Sequence, residues 1–135
     1  MNARELMIGD WIYSKSDNKN HKVNSIIIQK DGSVLVAMED DLSFDYMFEP
    51  IPIKRIHLTK NGFKVREETD DSEFYYYDCY EINVSFDEGI SEENIPPIIF
   101  LTIEFAEKSI AMPIEYVHEL QQAMRVMGCD KKIEL

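Results

Sequence analysis

The chain has 135 residues, of which 44% are hydrophobic and 30% charged, and this is the size and composition of one globular domain. No apolar run approaches the roughly 20 residues that a transmembrane helix needs, which excludes a membrane-spanning protein. The formal net charge is −12, and no Lys or Arg lies between Arg66 and Lys108, so a phosphate backbone would be repelled and we expect no direct binding to nucleic acid.

The N-terminus carries no recognisable targeting signal. Met1 to Leu6 lack the basic segment followed by an apolar stretch that a secretory signal requires. The two cysteines, Cys79 and Cys129, are not spaced as in a zinc ribbon or a redox motif. We therefore expect a cytoplasmic protein with reduced thiols.

The first predicted element is a strand from Met7 to Tyr13. Alternation along the pleat places Met7, Gly9, Trp11 and Tyr13 on one side, and Trp11 is expected in the core. Gly9-Asp10 is expected to mark a bend or bulge in this strand.

A hairpin follows. The β-rich runs Lys22 to Gln29 and Val34 to Met38 flank Asp31-Gly32. Asp-Gly between two such runs predicts a two-residue type I′ turn, which needs positive φ at both central residues.

Leu42 to Phe48 alternates apolar and polar residues and is predicted to be a further strand. Glu49-Pro50-Ile51-Pro52 ends it, because two prolines remove two backbone donors, and we place a seam between subdomains here. Ile53 to Phe63 fits a short helix with Gly62 just past its end, although Asn61-Gly62 is also a hairpin signature.

The C-terminal half is predicted to contain several strands and one helix. The strands are Phe63 to Arg66, Glu73 to Tyr77, Tyr80 to Phe86, Ile98 to Phe105 and, as a further candidate, Ser109 to Met112. Pro113 is predicted to open the helix and Gly128 to end it. Its apolar stripe consists of Ile114, Val117, Leu120, Met124 and Met127.

These elements predict an α+β fold that is mainly β, within a single domain of residues 1–135. Residues 1–52 are expected to form an SH3-like barrel or a bent antiparallel sheet, as one possible subdomain. Residues 53–135 form the other, an antiparallel sheet with the C-terminal helix packed on it.

Three sequence blocks, in this order, carry a resemblance to a known family. They are Leu6 to Tyr13, Glu49 to Ile53 with Asn61-Gly62-Phe63, and Tyr116 to Gln121. Together they resemble a family of short uncharacterised proteins from gut Bacteroidetes, often encoded in prophages or other mobile elements. The family has no assigned activity, so the resemblance transfers no catalytic residue. Lys54-Arg55 stand where that family usually has Thr followed by acidic residues, and positive charge there opposes the helix macrodipole.

Candidate metal and catalytic motifs are incomplete. Glu115 and His118 have the spacing that carboxylate-bundle metal sites use, but such sites need ligands from facing helices. His118-Glu119-Leu120-Gln121-Gln122 approaches the zincin pattern, yet Gln122 stands where the second histidine ligand must be. His21 and His57 share no ligand spacing with it. We expect no metal, no cofactor and no catalytic residue.

The densest aromatic cluster is a candidate protein interface. Its residues are Phe74, Tyr75, Tyr76, Tyr77 and Tyr80. Tyrosine combines apolar area with a polar tip, which suits either a core strand or an interface. Base stacking is disfavoured, because the cluster is embedded in acidic sequence.

The expected function is that of a small binding or adaptor protein of mobile-element origin, acting through protein contacts or self-association, with no membrane or small-molecule partner inferred. The alternative is an acidic decoy that imitates nucleic acid and occupies a DNA-binding protein. An enzyme of unknown type is the third possibility. The decoy predicts one elongated face of carboxylates from Glu67 to Glu93, whereas we expect these to scatter over separate loops.

Overall fold

The structure, a computed structural model, describes residues 2–38, 41–44, 47–68, 72–77, 82–87, 98–105, 108–129 and 131–135. Its elements are a 3-10 helix at Ala3–Glu5, strands β1 (Trp11–Ser14), β2 (Lys19–Lys22), β3 (Ser25–Ile28), β4 (Val34–Met38), β5 (Asp41–Phe44) and β6 (Phe48–Pro50), helix α1 (Arg55–Lys60), strands β7 (Lys64–Glu68), β8 (Ser72–Tyr77), β9 (Ile82–Asp87), β10 (Ile98–Phe105) and β11 (Lys108–Ile114), and helix α2 (Val117–Val126).

The fold is α+β and mainly β, as predicted. The described strands form three antiparallel sheets, with the orders β2-β1-β6, β3-β4-β5 and β11-β10-β9-β8-β7. In the described ranges none of these sheets closes into a barrel, so the SH3-like barrel considered for residues 1–52 is not formed there.

The chain divides into two compact units. One comprises Met1–Pro52 together with Tyr116–Ala123, and the other comprises Ile53–Glu115 together with Met124–Leu135. Both units are therefore discontinuous in sequence, and α2 contributes residues to each.

The core of the first unit is apolar and uses alternate residues of its strands. It comprises Ala3, Leu6, Ile12, Val23, Val34, Val36, Met38 and Phe48. The predicted facing of the first strand is wrong: β1 begins only at Trp11, after a turn at Ile8 and Gly9. Ile12 therefore points inward, and Trp11 is half-buried with Lys22 Nζ 5.1 Å from its ring centroid.

The β3–β4 hairpin is present, but its turn differs from the predicted one. Gln29 N donates to Ser33 O at 2.8 Å, which leaves three residues in the loop. Only Gly32 of Asp31-Gly32 has positive φ, at +87°. A three-residue loop with glycine in the left-handed region is the next most common hairpin connection. The hydroxyl and the backbone N–H of Ser33 donate to Asp31 and hold the pKa of its carboxyl below the usual value.

The five-stranded sheet of the second unit buries one of its faces. The buried residues are Tyr75, Val84, Phe86, Ile99, Leu101 and Ile114. Helix α1 forms where a short helix was predicted, with Asn61 at its C-cap and Gly62 following. The buried Asn61 side chain donates to His57 O and Glu134 O and accepts from Glu134 N, which ties the C-terminal segment to the end of α1.

Pro113 does not open the C-terminal helix. It lies in β11, opposite Phe100 of β10, and α2 begins four residues later. Proline is tolerated in an outer strand because its missing N–H costs nothing where it faces away from the neighbouring strand. Gly128 follows the helix as predicted, and Cys129 N donates to Met124 O there.

Candidate functional site

The outer strand β11 is one of the exposed apolar elements of the described chain; the outer strand β3 is another, with exposed fractions of 44% for Ile27 and 65% for Ile28. Five consecutive residues, Ser109 to Pro113, are all exposed, and Ile110 and Met112 have exposed fractions of 58% and 37%. No charged residue occurs from Ser109 to Ile114. An outer strand carries one row of backbone N–H and C=O groups that its own sheet does not pair, so β11 presents both apolar side chains and a pairing edge.

The opposite edge of the same sheet is protected. β7 has four charged residues among five, and its pairing with β8 shifts register between Val65 and Glu67. Charge and a bulge are the usual means by which proteins prevent edge pairing. Because β11 has neither along Ser109 to Met112, the two edges of this sheet differ in what they can bind.

The predicted aromatic cluster is divided by the pleat of β8. Tyr75 is buried; its hydroxyl donates to Glu73 Oε2 at 2.8 Å, and its ring meets Phe86 edge-on at 5.8 Å. Tyr77 packs against Phe63, with ring centroids 5.3 Å apart. Tyr80 lies outside the described residues.

Phe74 and Tyr76 are half-buried and lie on the other side of β8. Tyr76 has the Arg66 guanidinium 5.2 Å from its ring centroid and Lys64 opposite it in register. The neighbours of Tyr76 on β7 are therefore basic, although the sequence around the cluster is acidic.

The sheet register extends this outer face as far as β11. Phe74 pairs with Ser85, Ser85 with Phe100 and Phe100 with Pro113. A second row consists of Tyr76, Asn83, Thr102 and Ala111. All eight residues are uncharged in a chain of net charge −12, and the next row of the register places Glu104 opposite Ser109.

One charged cluster on the buried side of the sheet is structural. Arg55 Nε donates to Glu73 Oε2, the oxygen that also accepts from Tyr75, and the Arg55 guanidinium lies 5.6 Å from the Phe86 ring centroid. These contacts fix α1 on β8 and β9. The acidic stretch Glu67 to Glu93 otherwise falls mostly outside the described side chains, so the expectation about a carboxylate face stays a prediction.

A group of side-chain amide hydrogen bonds at the start of β1 was not predicted from the sequence. The Gln121 amide accepts from Trp11 N at 2.9 Å and donates to Gly9 O at 3.1 Å. Gln122 donates to Asp10 Oδ2 and to Glu5 O. Gln121 lies four residues after Val117 and therefore on the same side of the helix as this buried residue. This spacing was the sequence signal that Gln121 is buried.

The three histidines have separate environments. His21 Nε2 lies 2.7 Å from Asp17 Oδ2, and His118 is buried with its ring stacked on Tyr116. His57 Nδ1 accepts from Lys54 N at 3.1 Å. Burial, followed by the positive charges of Lys54 and Lys60, lowers the pKa of His57. Within the described residues, no three His, Cys, Asp or Glu side chains are grouped to hold a metal.

No family model, curated protein or solved structure matches the chain. None of the helices in the described ranges is both long and apolar enough to cross a lipid bilayer.

Proposed function

We propose that this protein is a binding or adaptor module that adds an extended protein segment to the β11 edge of its five-stranded sheet. The neutral face formed by Phe74, Tyr76 and Phe100 is the adjoining contact surface. We place its action in the cytoplasm. The resemblance to mobile-element proteins of Bacteroidetes supports a role in mobile-element biology.

The observation that carries this proposal is the contrast between the two edges of one sheet. β11 is exposed and uncharged from Ser109 to Pro113, whereas β7 is charged and shifts its register with β8. In β-strand addition, backbone hydrogen bonds supply affinity and alternate side chains supply specificity. Because Ile110 and Met112 are 58% and 37% exposed, covering the remainder of each would add roughly 1 kcal/mol per side chain.

A matched pair of charge substitutions tests the proposal. Ile110→Lys places a charge on β11, and Val65→Lys places the same charge on β7, where the parent residue has a similar exposed fraction of 49%. A lysine on an exposed edge opposes strand pairing. We expect proteins that bind through β11 to cross-link to Val65→Lys as they do to the parent chain, and not to Ile110→Lys.

The measurement is quantitative mass spectrometry of proteins cross-linked to the full chain in its own cells. Circular dichroism and urea unfolding of both variants establish that each is folded. A partner set that is equal for the two folded variants would contradict binding at β11.

A further inference from the structure

We propose that β11 pairs with β11 of a second copy of this chain, antiparallel and about a two-fold axis at Ala111. This inference rests on the proposed function, because it names the segment that the β11 edge receives. It would join the two five-stranded sheets into one continuous sheet.

The sequence of β11 is self-complementary in this arrangement. With Ala111 on the axis, Ile110 of each copy lies opposite the partner subunit's Met112. Both are large, exposed apolar side chains, and the symmetry brings them together twice. Ser109 lies opposite Pro113, a pair without charge.

Charge is also compatible with a second copy at this position. Two chains of net charge −12 repel each other overall, so an edge without charged side chains is where a second copy meets little local repulsion. Ser109 to Ile114 form such an edge, and the two uncharged rows adjoin it at Ala111 and Pro113, while Glu104 pairs with Ser109. The edge of β7 is not such an edge, since four of its five residues are charged.

Pro113 has no N–H to donate, which lowers the number of backbone hydrogen bonds that the two strands can form but still leaves several. If its nitrogen faces outward, the Ala111 pair supplies two backbone hydrogen bonds and each Ser109–Pro113 pair supplies one. If the nitrogen faces β10, the two Ile110–Met112 pairs supply two each. By the alternation of an antiparallel ladder, about four backbone hydrogen bonds form within β11 in the first case, and up to about eight in the second when the two Lys108–Ile114 pairs are included.

Sedimentation equilibrium of the full chain at 50 and 500 mM NaCl tests the association. Salt screens repulsion between like-charged chains, so we expect a dimer whose dissociation constant falls severalfold at the higher salt. For a different, basic protein bound to this chain, the dissociation constant would instead rise at the higher salt. Ile110→Lys is expected to be monomeric, while Val65→Lys is expected to dimerise like the parent chain.

Disulfide trapping tests the register. Ala111→Cys and, as the matched control, Val65→Cys are each made in a Cys79→Ser background. Residues that meet on a two-fold axis between antiparallel strands have Cα atoms about 4.5–5.5 Å apart, which a disulfide can span. Mild oxidation is expected to link most Ala111→Cys chains into dimers and few Val65→Cys chains.

The outcomes separate this inference from the proposed function. If the chain stays monomeric at millimolar concentration in both salts, the proposed dimer is wrong. In that case, a protein that cross-links to the parent chain but not to Ile110→Lys would still support β11 as a binding edge. A dimer that folded Ile110→Lys retains overturns β11 as the dimer contact, whereas the proposed function is contradicted by equal cross-linked partner sets in the two lysine variants. Equal trapping of the two cysteine variants overturns the proposed register.

Discussion

His57 completes the first turn of α1 under unfavourable electrostatic conditions. Lys54 at the N-cap has no side-chain acceptor, and the positive charges of Lys54 and Arg55 oppose the macrodipole. The Nδ1 atom of His57 accepts from Lys54 N and provides the reciprocal half of a capping box. Only neutral imidazole can accept there, since both ring nitrogens donate when the ring is protonated.

This cap predicts a loss of stability in mild acid. Burial and the neighbouring lysines lower the pKa of His57 below its ordinary value of 6.5. The unfolded chain therefore binds the proton first. The contribution of His57 is complete above about pH 6.5 and decreases as the pH falls toward the folded pKa.

The measurement is the free energy of unfolding in urea at pH 7.0 and at about pH 5.5, above the range where most carboxylates titrate. His57→Gln keeps an acceptor at the same helix position without a titrating ring, so it is expected to show the smaller change. An equal change in the two proteins would contradict the role assigned to His57. NMR titration of the ring gives the direction of the pKa shift directly.

At the scale of elements, two glutamines connect α2 to β1. The Gln121 amide supplies an acceptor to Trp11 N and a donor to Gly9 O, at the point where β1 begins. The carboxylate of Asp10 accepts from both Met7 N and Gln122 Nε2. Side-chain amides thus provide the hydrogen bonds that an additional strand would otherwise supply.

Gln121→Ala is expected to lower the free energy of unfolding by roughly 2–3 kcal/mol, because it leaves an N–H and a C=O without partners in a part-buried position. Gln29→Ala is the control, since Gln29 is exposed, and a change of at most about 0.5 kcal/mol is expected there. Urea unfolding followed by tryptophan fluorescence measures both, with Trp11 as the reporter. A loss no larger than that of the control would show that water replaces the amide.

Elements with strong local signals were predictable from the sequence. Ile98 to Phe105 is a β-rich run that forms a strand with those bounds, and the short helix ends before Gly62 as expected. The prediction that Pro113 opens the C-terminal helix was wrong, because proline is tolerated both in the first turn of a helix and in an outer strand.

Two features could not be predicted without the tertiary structure: which side of β1 is buried, and that β11 lies at the edge of its sheet. Trp11 and Ile12 are both apolar, and only the turn before them decides which one points inward. That β11 lies at an edge depends on strand order, which alternation along one strand does not encode. The aromatic cluster was a visible signal, but the pleat of β8 separates its members.

At the scale of the molecule, each compact unit is assembled from two separated parts of the chain. The N-terminal unit needs Tyr116–Ala123 as well as Met1–Pro52. A fragment of residues 1–52 lacks the amide partners of Trp11, Gly9 and Asp10. We expect such a fragment to show the narrow amide dispersion of an unfolded chain in a ¹H–¹⁵N NMR spectrum.

The matched comparison is a fragment in which a short Gly-Ser linker joins residues 1–52 to residues 116–135, and a wider dispersion is expected for it. A well-dispersed spectrum from residues 1–52 alone would show that the N-terminal strands fold without α2.

The position of Gln121 and Gln122 also sets an order of events during synthesis. Residues 1–52 leave the ribosome first, but the two amides that bind the start of β1 are made about seventy residues later. At the ordinary elongation rate of about 5–20 residues per second, this delay lasts several seconds. During that time Asp10 and the backbone around it have only water as a partner in place of these amides. We therefore expect the N-terminal unit to acquire its final structure near the end of translation, together with the second unit and not before it.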